Sequence, residues 1–102
     1  MKHRNRLEII ALILQNAVET NGATQKRIMY KAYLSYHHLK SYLVLLRQND
    51  LLFYDEFRRT YKTTEKGERF LNIFYGLNEV VSMTNSIISR WVHLEGINSS
   101  IT

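Results

Sequence analysis

From Phe70 to Leu94 apolar side chains return every seven residues, and no other feature of the chain restricts its fold so strongly. Phe70, Leu77, Thr84 and Trp91 take one seam position and Ile73, Val80, Ile87 and Leu94 the other, with Phe74, Val81 and Ile88 beside them. A seven-residue period is the signature of a helix whose apolar seam faces another helix. Thr64 is a good N-cap, and Glu65 puts an acid at the positive end of the helix dipole, so the spacing predicts one helix from there to about Glu95. At 1.5 Å per residue it would run roughly 45 to 48 Å, too far for the rest of so short a chain to cover. The stripe therefore predicts a second copy of the chain as partner, with Leu77, Val80, Val81, Thr84, Ile87, Ile88, Trp91 and Leu94 at the dimer seam. Polar Thr84 would set the register, and Gly76 would either mark where the helix leaves the body or allow close packing. The competing arrangement is a fold-back of the same stripe onto the first helix.

The residues before this helix read as a small helical body. Leu7, Ile10, Leu14 and Ala17 recur at helical spacing from Arg6 to Glu19, with Ile9 and Ile13 widening the stripe, and Asn21-Gly22 ends it. Thr24 caps a two-turn helix, QKRIMYKA, with Ile28 and Met29 inward. Ser35 caps a third helix with Leu39, Tyr42, Leu43 and Leu46 as its core stripe, closed by Asn49-Asp50, which tolerate a left-handed backbone. LLFY and TYKT, residues 51–54 and 60–63, form a hairpin around the charged tip DEFRR, which has no Asn-Gly or Asp-Gly to tighten it. Tyr30, Tyr42, Tyr54 and Tyr75 fall at spacings that predict packing.

Charge divides the chain where the elements do. Residues 1 to 69 hold 13 of the 14 Lys and Arg against seven acids, a balance of +6, whereas residues 70 to 102 hold one Arg against two Glu, a balance of −1. One part is built to meet an anion and the other to assemble. The chain has no cysteine, which excludes disulfides and thiolate metal ligands. No apolar run approaches the roughly 20 residues that span a bilayer, so a membrane is not an expected partner and a cytoplasmic location is. His37 and His38 are adjacent and point about 100° apart on a helix, so they do not ligate one ion as an i, i+4 pair does. No nucleophile with a base, no glycine-rich phosphate loop and no paired carboxylates stand at a plausible site. The expectation is a protein with no catalytic residues, cofactor, metal or small-molecule substrate.

The order helix, short helix, helix, hairpin, long helix is that of a winged helix-turn-helix: mainly α with a small β-hairpin. In that architecture the third helix enters the DNA major groove and the hairpin, the wing, touches the neighbouring backbone or minor groove. The core stripe of the third helix leaves His37, Lys40, Ser41, Val44 and Gln48 on the opposite face, with Tyr36 at the leading end. Such a face has donors, acceptors and a methyl-contacting Val, which suits base edges as well as phosphates. Lys26, Arg27 and Lys31 would lie along phosphate, as would Arg58 and Arg59 at the wing tip. The partners expected are double-stranded DNA and a second copy of the chain. The rival function is a winged-helix interaction module whose basic face docks an acidic protein.

RIMYKAYLSYHHLKSYLVLLRQNDLL, followed by YKTTEKGERFL, also resembles the archaeal winged-helix DNA-binding proteins with their pattern RIMYKAxLSYxxLxxYLxxLxxxGLL and a last helix starting TEKGxxFL. The small chromatin-type members from Sulfolobus, with a C-terminal coiled coil, are similar in size. The resemblance is dense from residue 6 to about 75 and weaker beyond. It implies an archaeal or archaeal-virus source, a homodimer through antiparallel pairing of the last helices, and a role in chromatin or transcription regulation. Asp50 replaces the family's glycine after the third helix, and His37, His38, Lys40, Ser41 and Val44 fall at variable positions of the pattern, so sequence preference does not carry over. The expected division is residues 1–75 as DNA-binding domain, 76–96 as dimerisation helix and 97–102 as a frayed tail.

Overall fold

The computed structural model describes residues 4–94, with side chains as far as Thr84 apart from Ser82. Its elements are α1 (Arg6–Glu19), α2 (Gln25–Ala32), α3 (Tyr36–Gln48), β1 (Leu52–Asp55), β2 (Thr60–Thr63) and α4 (Glu65–Leu94). The chain is thus mainly helical with one antiparallel hairpin. Every helix begins on a side chain that accepts a backbone N–H left without a partner in the first turn. Asn5 caps α1 reciprocally: its Oδ1 accepts from Glu8 N at 2.8 Å while Glu8 Oε1 accepts from Asn5 N at 2.9 Å. Thr24 and Ser35 accept from the N–H groups of Arg27 and His38, each at 3.2 Å. Thr64 Oγ1 accepts from Gly67 N at 3.0 Å and donates to the Asp50 carbonyl at 2.7 Å, so the cap of α4 also secures the turn after α3.

The helix ends follow from residues that accept positive φ. Asn21 and Gly22 (φ 52° and 115°) close α1, Tyr33 (φ 54°) closes α2, and Asp50 (φ 58°) turns the chain out of α3. Asp50 therefore takes the left-handed conformation expected of the glycine it replaces, as short polar side chains can. The core lies where the three helices meet the hairpin: Ile13, Leu14, Ile28, Leu39 and Leu46 are fully buried, and Leu43, Leu52, Tyr61 and Leu71 complete it.

The structure corrects several expectations. Leu7 is exposed, because α1 meets the core only from Ile9 onward, with Ala11, Ile13, Leu14 and Ala17 buried. Tyr30 is 79% exposed rather than packed, since α2 turns only Ile28 and Ala32 fully inward. Tyr75 is also exposed, while Tyr42 and Tyr54 do pack against the core. The hairpin pairs Leu52 with Thr63 through Asp55 with Thr60, so Asp55 belongs to the strand and the turn is four residues long. It is also ordered: Asp55 Oδ1 accepts from Phe57 N at 3.0 Å and Arg58 N at 3.2 Å, and Arg59 closes the turn at φ 55°.

Two ties of the wing to the body were not expected. Ala23 pairs with Tyr61, Ala23 N donating to the Tyr61 carbonyl at 2.9 Å and Tyr61 N to the Ala23 carbonyl at 2.7 Å. Thr63 Oγ1 donates to the Leu14 carbonyl at 2.7 Å. Gly67 lets α4 pass close by, because a Cβ there would run into the Leu51 carbonyl and the Thr63 methyl.

Along α4, Leu71 is buried and Phe70 and Phe74 pack on the core, so these aromatic side chains serve the body instead of a free seam. A Cβ added at Gly76 would meet nothing within 4 Å, and from Leu77 the described side chains are exposed, which places the glycine where the helix leaves the body. The molecule measures 63 × 29 × 21 Å, with a radius of gyration of 18.4 Å. A compact domain of 100 residues would have about 13 Å. Leu77, Val80, Val81 and Thr84 of the predicted seam are exposed on this projecting helix. Ile87, Ile88, Trp91 and Leu94 lie in α4 by backbone, but their side chains, like the expected tail at 97–102, lie outside the described residues. No helix among the described residues is long and apolar enough to cross a membrane.

Candidate nucleic-acid interface

α2 and α3 are joined by Tyr33, Leu34 and Ser35. The left-handed Tyr33 turns the chain, Leu34 N donates to the Met29 carbonyl at 3.2 Å, and the Leu34 side chain packs on the core, so the angle between the helices is set on three sides. α3 is then seated by Leu39, Leu43 and Leu46. At 100° per residue, its exposed residues sort into strips. His37, Ser41, Val44 and Gln48 form the middle, Tyr36, Lys40 and Arg47 one edge, and His38 and Leu45 the other; all are exposed.

The edge of α3 that carries Arg47 is the one beside the wing, where the guanidinium stands 5.6 Å from the Tyr54 ring centroid. Tyr54 in turn packs on Tyr61 with centroids 4.7 Å apart. Burial pushes the pKa of the Tyr61 hydroxyl up from its usual 10.0, against the opposing field of Arg47, so it stays a neutral packing group. Lys40 Nζ lies 6.0 Å from the Tyr36 ring centroid, which holds the ammonium along the helix surface. The two histidines have diverging rings, with centroids 6.1 Å apart and planes at 57°. His38 Nδ1 shares a 3.1 Å hydrogen bond with Ser35 Oγ, so this residue supports the cap while His37 faces outward. Among the described residues no group of three His, Asp or Glu side chains could hold a metal ion.

Lys26, Arg27 and Lys31 are exposed on α2, and Arg58 and Arg59 are exposed at the hairpin tip. All ten residues assigned to DNA contact from the sequence are on the surface, and the structure unites those of α3 with the root of the wing through Arg47 and Tyr54. Sequence reasoning passed over Arg47 and Lys62. Lys62 pairs with Phe53 on the hairpin, and the alternation along β2 would have separated it from buried Tyr61. The thirty residues from Thr20 to Asn49 contain five Lys and Arg and no Asp or Glu, so no carboxylate of the helix-turn-helix segment itself offsets its positive field.

Residues 3–82 match the family model described as winged helix-turn-helix. A comparison with curated proteins gives no match. Among solved structures the chain is similar to Sso10a-2, a DNA-binding protein from Sulfolobus solfataricus, with a TM-score of 0.73, 22% identity, and coverage of 89% of this chain and 96% of that one. It is also similar to MepR, a transcription regulator of the Staphylococcus aureus multidrug efflux pump MepA, with a TM-score of 0.65, 17% identity, and coverage of 96% and 80%. At these identities the likeness is one of fold.

Proposed function

The chain belongs to the winged helix-turn-helix family, and from that premise we propose that it is a homodimer that binds double-stranded DNA. α3 enters the major groove, and the wing lies on the neighbouring backbone through Arg58 and Arg59. The observation that carries this reading is the exposed surface of α3, where Lys40 and Arg47 line one edge of the strip His37, Ser41, Val44 and Gln48 within a segment free of acids. Cations placed along that edge suit phosphates, while the middle strip has the mixed donors, acceptors and methyls that suit base edges. DNA binding by Sso10a-2 and transcription regulation by MepR support the same partner.

Residues 1–75 form the DNA-binding domain and 76–96 the dimerisation segment. Exposed Leu77, Val80, Val81 and Met83 support this, being an apolar stripe on a helix that has left the body. Pairing of the two helices holds two reading heads apart, which permits two spaced contacts on one duplex or bridging of two. The role is transcription regulation or DNA architecture, exercised on the nucleoid in the cytoplasm.

The test is a titration of a labelled mixed-sequence duplex of roughly three helical turns at low salt. Wild type binds, and Lys40→Glu, which alters only an exposed side chain, binds at least about 10-fold more weakly with its thermal unfolding unchanged. If wild type fails to bind any duplex, the reading falls and an acidic protein becomes the partner to seek.

A further inference from the structure

Phe57 is 97% exposed, the most exposed large apolar side chain among the described residues. Chance exposure of a phenyl ring on a mobile loop would need no account, but this loop is built. Asp55 Oδ1 accepts from the N–H of Phe57 itself and from that of Arg58, and Arg59 holds a left-handed backbone to bring the chain back into β2. The turn thus displays a phenyl ring at the apex of the wing with two guanidinium-bearing residues directly after it. The root of the same wing is tied to the body by the Ala23 pairing and by Thr63, so the apex stands on a fixed support.

We propose, on the footing that the chain binds duplex DNA, that Phe57 is an apolar wedge that enters the minor groove and partly unstacks a base step, kinking the duplex. Apolar side chains that insert between base steps need a pre-shaped protrusion and nearby cations to hold the opened backbone, and the tip has both. Arg58 and Arg59 hold the phosphates flanking the opened step. The wedge favours pyrimidine–purine steps, which unstack most easily, so it gives the wing a sequence preference without any hydrogen bond to a base. It also gives the two heads of a dimer a way to bend the DNA between them.

The experiment measures end-to-end energy transfer in a dye-labelled mixed-sequence duplex of roughly three turns, saturated with wild type, Phe57→Leu or Phe57→Ala, alongside binding by anisotropy. Wild type and Phe57→Leu shorten the end-to-end distance by a kink of at least about 20°, while Phe57→Ala binds roughly 10-fold more weakly, leaves the duplex straight and keeps the wild-type salt dependence. A wild type that binds without bending, or a Phe57→Ala variant that bends as wild type does, overturns the wedge and leaves DNA binding intact. Loss of self-association by Phe57→Ala in light scattering overturns it as well, by assigning the ring to a protein contact. Failure of wild type to bind any duplex overturns both readings together.

Discussion

Gly67 and Asp50 sit on either side of the wing, and each is decided by the backbone beside it. Asp50 adopts φ 58° and its carbonyl accepts from Thr64, so a residue that looks like a defect in the turn is held by the next helix's cap. Gly67 lies in the first turn of α4, where alanine would ordinarily favour the helix by about 1 kcal/mol. Here the added methyl would run into the Leu51 carbonyl. Gly67→Ala is therefore expected to destabilise the protein by about 1–3 kcal/mol, read as a lower urea midpoint with unchanged slope. A higher midpoint would mean that α4 can withdraw from Leu51. The capping threonines and serine were legible in the sequence because their chemistry is local. The exposure of Tyr30 was not, because a helix of two turns has too few residues for periodicity to tell a side that packs from one that does not.

Among the elements, α4 changes character along its length, body-facing at Phe70, Leu71 and Phe74 and then outward from Leu77. The seven-residue period told of the helix and raised the expectation of a partner, but it ran unbroken through both parts. Only the position of the other helices separates them. The same holds for the wing: its strands were legible from alternation, whereas the pairing of Ala23 with Tyr61 joins single residues far apart in sequence and leaves no pattern. The order of the tip was within reach, since an aspartate ahead of two free N–H groups is a known turn former. If the outer part of α4 is the dimer seam, two acids in it should separate the protomers. Leu77→Glu with Val80→Glu is expected to lower the mass in light scattering from twice 12.1 kDa to 12.1 kDa while the helical content of the body is retained. An unchanged mass would place the dimer contact elsewhere.

The whole molecule joins a basic head to a nearly neutral projecting helix, so the net charge of +5 understates how unevenly charge is placed. If this head binds duplex DNA as proposed, much of the affinity comes from releasing counterions from phosphate, and every cation removed from the proposed contact surface should weaken the salt dependence. The winged arrangement of α3 and the hairpin was legible from element order, because few architectures place a helix-turn-helix ahead of a hairpin. A division of the exposed side chains into base-facing and phosphate-facing ones was not, since exposure alone does not separate Lys40 and Ser41 from their neighbours. The most direct measurement of the central claim is the slope of log affinity against log salt for a mixed-sequence duplex, in wild type and in the Arg58→Ala plus Arg59→Ala variant. DNA binding through the wing and α3 predicts a steep negative slope that becomes shallower by roughly two in the variant. A flat response, or one slope shared by both proteins, would contradict it.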